Sequence, residues 1–256
     1  MNAYMKDNFS NIAENYSAFR PEFPPEFIDA LCNLSLSKNL VWDCGTGNGQ
    51  VAKYLAKHFD NVIATDISIN QIDKAVRLSN IDYRVESAEN ASLENKSVDL
   101  IVVAQAVHWF DFEKFYREAN RFLTGNGIIA VIGYPLFKTD IPELNELIQN
   151  FYHNIIGKYW DAERRYIDEK YETIPFPFDE FNMPRFDMKY SWNYDQLVGY
   201  LSSWTAVAHY IKEIGKNPLE LINEKLKELL PENVMVNINF EIIGRYGFVF
   251  EDLIYI

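Results

Sequence analysis

A chain of 256 residues, 48% hydrophobic and 24% charged, can bury the core of one α/β domain or of one domain with a sizeable insertion. Its formal net charge of −13, with no dense cluster of Lys and Arg, argues against nucleic acid as a partner. The longest apolar runs, such as "LIVVAQAV" (100–107), fall far short of the roughly 18 residues of a membrane span, so no membrane partner is expected.

The start, "MNAYMKDNFSNIAENY", has no basic region followed by an apolar one, so no secretory signal is read there. The two cysteines, Cys32 and Cys44, lack metal or redox spacing and read as buried free thiols, which points to a reducing compartment, the cytoplasm. "LVWDC" (40–44) is an apolar strand ending at three glycines, Gly45, Gly47 and Gly49. "QVAKYLAKHF" (50–59) has helical spacing, "NVIATD" (61–66) is a second buried strand, and Ser68 with Gln71 forms a capping-box signature for the next helix. "IDYRVES" (81–87) alternates as a third strand, and "VDLIVVA" (98–104) suits a central parallel strand. Asp111 can cap a helix with Phe112, Phe115, Tyr116, Ala119, Phe122 and Leu123 on one face. That helix is expected to stop at Gly125 and Gly127, before a fifth strand, "IIAVIGY" (128–134). Five strands with intervening helices predict a doubly wound parallel sheet.

Beyond Pro135 the texture changes. Residues 140–160 look helical, and 171–186 look like a loop with prolines at 175, 177 and 184. "RFDMKYSW" (185–192) alternates as a strand, 195–204 and 217–230 read as helices, and 234–250 reads as a long strand or hairpin. Eighteen of the 77 residues from Tyr134 to Tyr210 are aromatic, enough either to line an apolar pocket or simply to fill a core. The expected organisation is one domain over 1–256, with a Rossmann-like core from 1–135 and 184–256 and a helical cap insertion at 136–183 that binds substrate.

The glycine loop is the informative motif. A dinucleotide fingerprint starting at Gly45 would need a small residue at position 50, which is Gln50, and no Gly-Lys-Ser or Gly-Lys-Thr supplies a phosphate loop. The pattern is Asp-x-Gly-x-Gly-x-Gly from Asp43 to Gly49. An acid beside the turn suits a ligand carrying an ammonium group better than a pyrophosphate. Asp66 ends the second strand 21 residues after Gly45, near the offset at which a carboxylate accepts ribose hydroxyls.

"VWDCGTGNG", "ATDIS", "ESAEN" and "SVDLIVVAQAVHWF" follow one another in the order and spacing of class I S-adenosylmethionine-dependent methyltransferases, and the chain resembles that family over nearly its whole length. "AQAVHWF", the opening "YSAFRPEFP", "IPFPF" and "LVGYLSSWTAVAHY" look more specifically like the branch grouped around trans-aconitate methyltransferase-like proteins. The resemblance implies a mostly parallel seven-stranded sheet of order 3-2-1-4-5-7-6, its last two strands drawn from about 185–192 and 234–246. It implies S-adenosyl-L-methionine as cofactor and a small-molecule methyl acceptor as partner, and it leaves the oligomeric state open.

The same resemblance assigns Asp43, Gly45 and Gly47 to the methionine end of the cofactor and Asp66 to the ribose. Ile67 would pack on the adenine, and Ser87, Ala88 and Glu89 would read the adenine edge. Ala104 and Gln105 would underlie the amino acid moiety, and Arg20 could reach its carboxylate. His108, after the fourth strand, is either a base or a substrate contact, and Trp109 a pocket wall or a core ring. His58, His153 and His209 show no ligand spacing, so no metal is expected. Two rivals remain open: a catalytically silent S-adenosylmethionine-binding module acting through protein partners, and an NAD-dependent oxidoreductase, which Gln50 and the acidic loop disfavour.

Overall fold

A computed structural model describes residues 20–249. They form two compact units, each assembled from separate stretches of chain. The sheet unit comprises Glu22–Tyr134, Tyr166–Phe186 and residues 242–249; the second unit comprises residues 20 and 21, Pro135–Arg165 and Asp187–Glu241. Tyr16 to Phe19 of "YSAFRPEFP", the start read for a signal and Phe250 lie outside the described residues.

The sheet unit is built on a seven-stranded sheet of order β3-β2-β1-β4-β5-β10-β7. The strands are β1 (Leu40–Cys44), β2 (Asn61–Asp66), β3 (Ile81–Val85), β4 (Val98–Ala104), β5 (Leu123–Gly133), β7 (Asp179–Phe181) and β10 (Ile243–Phe248). The first five are parallel, and β10 runs antiparallel to both β5 and β7. β4 sits in the middle because its apolar run Leu100–Ala104 can be buried on both faces, as Leu100–Val103 are. Trp42 of β1 is fully buried, donates its indole N–H to the Thr65 hydroxyl at 2.9 Å, and meets the Phe122 ring edge-on at 5.3 Å. Phe122 belongs to α4 (Phe112–Phe122), whose apolar stripe Phe115, Tyr116, Ala119 and Phe122 is buried on the sheet. α4 starts where expected: the Asp111 carboxylate accepts the Lys114 backbone N–H, satisfying one orphan donor of the first turn.

The other helices of this unit are α1 (Pro25–Leu34) and three single turns, α2 (Ala52–Leu55), α3 (Ile69–Ile72) and α6 (Arg165–Asp168), the last of which begins on the unit boundary. Three expectations about these elements change. Ser68 stands at the α3 N-cap, but its side chain makes no cap bond; the Gln71 N–H bonds the Ser68 carbonyl at 3.1 Å instead. Gly125 and Gly127 lie within β5, where the pairing with β4 shifts register between Val98 and Leu100, so the helix gives way to the strand without a loop. "FPFDEF", read as loop, contributes β7 at the sheet edge.

The second unit contains a three-stranded antiparallel sheet of order β6-β9-β8, from β6 (Lys138–Thr139), β8 (Asp187–Trp192) and β9 (Val236–Glu241). Its helices are α5 (Pro142–Asn150), α7 (Tyr194–Ser202), α8 (Thr205–Ile214) and α9 (Asn223–Leu229). The expected strands at 185–192 and 234–246 therefore form, but of these only Ile243–Phe248 joins the large sheet; its order is the expected 3-2-1-4-5-7-6, with β7 (Asp179–Phe181) as the sheet's sixth strand in chain order and β10 as its seventh. The boundary moves with them. Residues 136–165 and 187–241 form one unit, whereas 166–183 belongs to the sheet unit, contrary to a cap at 136–183 and a core that includes all of 184–256.

Aromatic density in the second unit is core packing. Phe137, Trp192, Tyr200 and Phe240 meet ring to ring at 5.2 to 6.3 Å between centroids, and Tyr152, Trp160 and Trp204 form a second group. No helix among the described residues is long and apolar enough to cross a membrane. Cys32 and Cys44 are buried free thiols, and burial pushes Cys32 up to about 12 and Cys44 well above the usual thiol range.

Candidate functional site

Strand ends of a parallel sheet carry their loops on one side, and the carboxyl ends of β1, β2, β3 and β4 gather most of the expected site residues there. The β1 loop depends on left-handed backbone at its glycines, with φ of +72° at Gly45, +56° at Gly47 and +77° at Gly49. A Cβ on Gly45 would stand 2.6 Å from Ala106 Cβ and 3.2 Å from the Phe110 ring, so this glycine lets the loops after β1 and β4 close on each other. A Cβ on Gly47 would meet nothing within 4 Å among the described residues. Those residues leave space beside it, where a ligand can approach the backbone.

Two carboxylates organise this loop. Asp43 is almost wholly buried; its Oδ2 accepts the Thr46 hydroxyl at 2.6 Å, while Oδ1 has no hydrogen bond of ordinary geometry. Burial pushes its carboxyl up to about 7, against the opposing pull of Thr46 and the Ala52 amide. Asp66 is half-buried, and its oxygens accept the N–H groups of Gly47 at 2.9 Å and Ser68 at 2.8 Å. Each oxygen of an ionised carboxylate has capacity for more than one hydrogen bond, so Asp66 is oriented by backbone and can still accept from a vicinal diol. Gly45 and Thr46 both donate to the Thr65 carbonyl at 2.9 Å, which ties the β1 loop to β2.

Beyond Asp66, Ile67 is 41% exposed and offers an apolar surface beside the carboxylate. Ser87, Ala88 and Glu89 follow β3; Ala88 is buried in the core. Glu89 has a duty that the sequence did not reveal. Its Oε1 accepts the Asp111 N–H at 2.9 Å, fixing the residue that caps α4, and its Oε2 is buried without a hydrogen bond.

Ala104 and Gln105 leave the end of β4, and Gln105 adopts φ +54°. His108 and Trp109 lie on a short 3-10 turn, His108 buried and Trp109 half-buried, with ring centroids 5.0 Å apart. Arg20 belongs to the second unit, where its guanidinium donates to the Ser203 carbonyl at 3.2 Å and lies over the Tyr200 ring.

The residues suit S-adenosylmethionine by what they lack as well as by what they hold. Gly47 leaves room against the backbone, Asp66 keeps acceptor capacity, and no lysine stands in the loop to meet phosphates. Among the described residues no group of three or more His, Cys, Asp or Glu side chains comes together as a metal site.

Comparison with known proteins shows the family. Residues 42–131, from within β1 to within β5, match the model of the methyltransferase domain family. The chain is 35% identical over 245 residues to a protein of Dictyostelium discoideum named as a methyltransferase, covering 92% of each. It is also 26% identical over 234 residues to the methyltransferase cfoB of Aspergillus candidus, covering 81% of this chain and 70% of that one. A solved structure described as a type II methyltransferase of Anaeromyxobacter dehalogenans superimposes with a TM-score of 0.83 at 32% identity, covering 90% of this chain and 98% of its own. Fold, loop and relatives converge: the chain belongs to the class I S-adenosylmethionine-dependent methyltransferases.

Proposed function

We propose that the protein binds S-adenosyl-L-methionine at the carboxyl ends of β1, β2 and β3 and transfers its methyl group to a small organic acceptor. The observation that carries this reading is the pairing of Gly47 with Asp66: an unobstructed left-handed glycine whose amide orients a carboxylate that retains acceptor capacity. Asp66 would hold the ribose hydroxyls, Ile67 would cover one face of the adenine, and Ser87, Ala88 and Glu89 would border its edge. The backbone of Gly45 and Gly47, with Ala104 and Gln105, would surround the methionine end. Buried Asp43 would hold the loop in shape through Thr46 and lend negative charge beneath a bound ammonium.

When bound, the cofactor supplies a methyl group already activated on a sulfonium. The protein's share of the work is then to align the acceptor and exclude water. His108 would line the acceptor side and take the proton of an acceptor that still carries one, such as an amine or a phenol; a carboxylate acceptor needs no base. "AQAVHWF" and "YSAFRPEFP" support a place near the trans-aconitate methyltransferase-like branch. The buried thiols of Cys32 and Cys44 support a reducing compartment such as the cytoplasm.

Calorimetry with S-adenosylhomocysteine tests the cofactor assignment. The wild type should bind, and Asp66→Ala should lose at least about tenfold in affinity, as expected when a charged acceptor worth about 1.5–3 kcal/mol is removed. Unchanged affinity in that variant would refute the assignment. A labelled-methyl screen over small carboxylic acids, phenols and amines then identifies the acceptor, and failure of every class to accept methyl would favour the silent module.

A further inference from the structure

We infer that Tyr171 and Gln105 are positioning residues that set the tautomer of His108, placing its proton on Nδ1 and leaving Nε2 as the nitrogen with the lone pair. The inference rests on the methyl-transfer reading only in giving that lone pair a use.

The argument starts from a carbonyl. Gln105 Nε2 donates to the Tyr134 carbonyl at 3.0 Å, and because a carbonyl can only accept, the amide is oriented with Oε1 on its other side. Tyr171 Oη lies 3.4 Å from that Oε1 and 3.5 Å from His108 Nδ1. The Gln105 oxygen also can only accept, so the single phenolic hydrogen goes to it. The Tyr171 oxygen then has only acceptor capacity to offer His108, and Nδ1 must supply the hydrogen. A neutral imidazole carries one N–H, so Nε2 holds the lone pair. This is the tautomer a base acting through Nε2 requires. Both Tyr171 contacts are long.

The backbone has been bent to bring these groups together. Gln105, Lys170 and Tyr171 take φ of +54°, +54° and +62°, a region that disfavours side chains with a Cβ. Tyr171 is fully buried, and its amide closes onto the Tyr166 carbonyl at 2.7 Å, ending α6 in left-handed residues where glycine would be the ordinary choice. Gly133, at the end of β5, completes the arrangement. A Cβ there would stand 2.8 Å from both Gln105 Oε1 and the Tyr171 ring and hydroxyl. Strain at residues that converge on one imidazole, with a glycine clearing the space between them, points to a positioned group rather than to filling alone. The His108 and Tyr171 rings stack at 6.3 Å and 27°, which keeps the imidazole turned toward the hydroxyl.

The test is nitrogen-15 NMR of the histidine side chains in the full chain. It is run at about pH 8.5, where an ordinary imidazole, of pKa about 6.5, is neutral. The His108 signals are assigned by their loss in His108→Gln. The wild type should show a protonated Nδ1 and a lone-pair Nε2, and Tyr171→Phe should reverse that preference while keeping the ring. Gln105→Met, which removes the acceptor and frees the phenol to donate to Nδ1, should reverse it as well. A wild-type His108 protonated on Nε2 overturns the inference, as does a wild-type spectrum in Tyr171→Phe. If that variant fails to fold, the wild-type spectrum and Gln105→Met still decide.

S-adenosylhomocysteine calorimetry on wild type and Tyr171→Phe separates the two readings. Binding in both with an unchanged tautomer sinks the relay and leaves the methyltransferase reading intact. No binding by the wild type sinks the methyltransferase reading, while the spectra still judge the relay.

Discussion

Asp43 shows how one residue can serve the site at a cost to the fold. Its carboxyl lies one residue before the end of β1, where nearly all water is excluded, and burial raises it from 3.8 to about 7. Below about pH 4 both the folded and unfolded chains hold the proton. Between about 4 and 7 the folded chain keeps it and the unfolded chain has lost it, so this group's contribution to stability falls as pH rises through that window. Three pKa units at about 1.4 kcal/mol each give an effect on the order of 4 kcal/mol. Asp43→Asn keeps an acceptor for Thr46 and removes the charge. Its urea midpoint should exceed the wild type's at pH 8 and match it at pH 4. Parallel pH profiles for the two proteins would show that the carboxyl is not held up as described.

The same logic at the scale of elements explains which parts of the chain could be read in advance. β1 and β2 have the expected bounds because apolar runs ending at glycine or aspartate leave little choice, and β4 because Leu100–Ala104 is an unbroken apolar run. Alternation in 185–192 and 234–246 announced strands and their buried faces, but not which sheet they join. β8 and β9 alternate buried and exposed positions, which suits a sheet wetted on one face rather than the doubly covered one. β7 escaped notice because its three residues sit among prolines. In the site, Asp66 and the glycines were legible from spacing. Tyr171 was not, since its part comes from a left-handed backbone and a tertiary approach that local sequence does not encode. Gly133, a glycine ending an apolar strand, was the available hint of a close approach.

The glycines of the β1 loop divide by the same reasoning. Gly45→Ala meets Ala106 and Phe110 and should cost about 3 kcal/mol from overpacking and left-handed strain together. Gly47→Ala meets nothing among the described residues and should cost only about 1 kcal/mol of strain, while losing S-adenosylhomocysteine affinity because its methyl enters the ligand's space. Thermal midpoints and calorimetry on both variants check this. Equal stability losses, or unimpaired binding by Gly47→Ala, would contradict the division.

For the molecule as a whole, the decisive feature is that the sheet is completed from the far end of the chain. The chain leaves the sheet unit after Tyr134, returns for Tyr166–Phe186, leaves again, and returns at Ile242. Only then does β10 pair with β5, from Ile243 opposite Gly133 to Phe248 opposite Ile128, and give β7 its partner. Until that last strand arrives, β5 presents the buried run Ile128–Ile132 at an open sheet edge, and such an edge templates pairing between chains. A chain ending at Glu241 should therefore aggregate, because it lacks β10 while keeping every element of the second unit. A chain ending at Val249 keeps the full β10 and should remain dispersed and bind S-adenosylhomocysteine. Size-exclusion chromatography with light scattering compares the two. A monodisperse chain ending at Glu241, unfolding at the wild-type urea midpoint, would show that β10 is dispensable and that β5 tolerates an open edge.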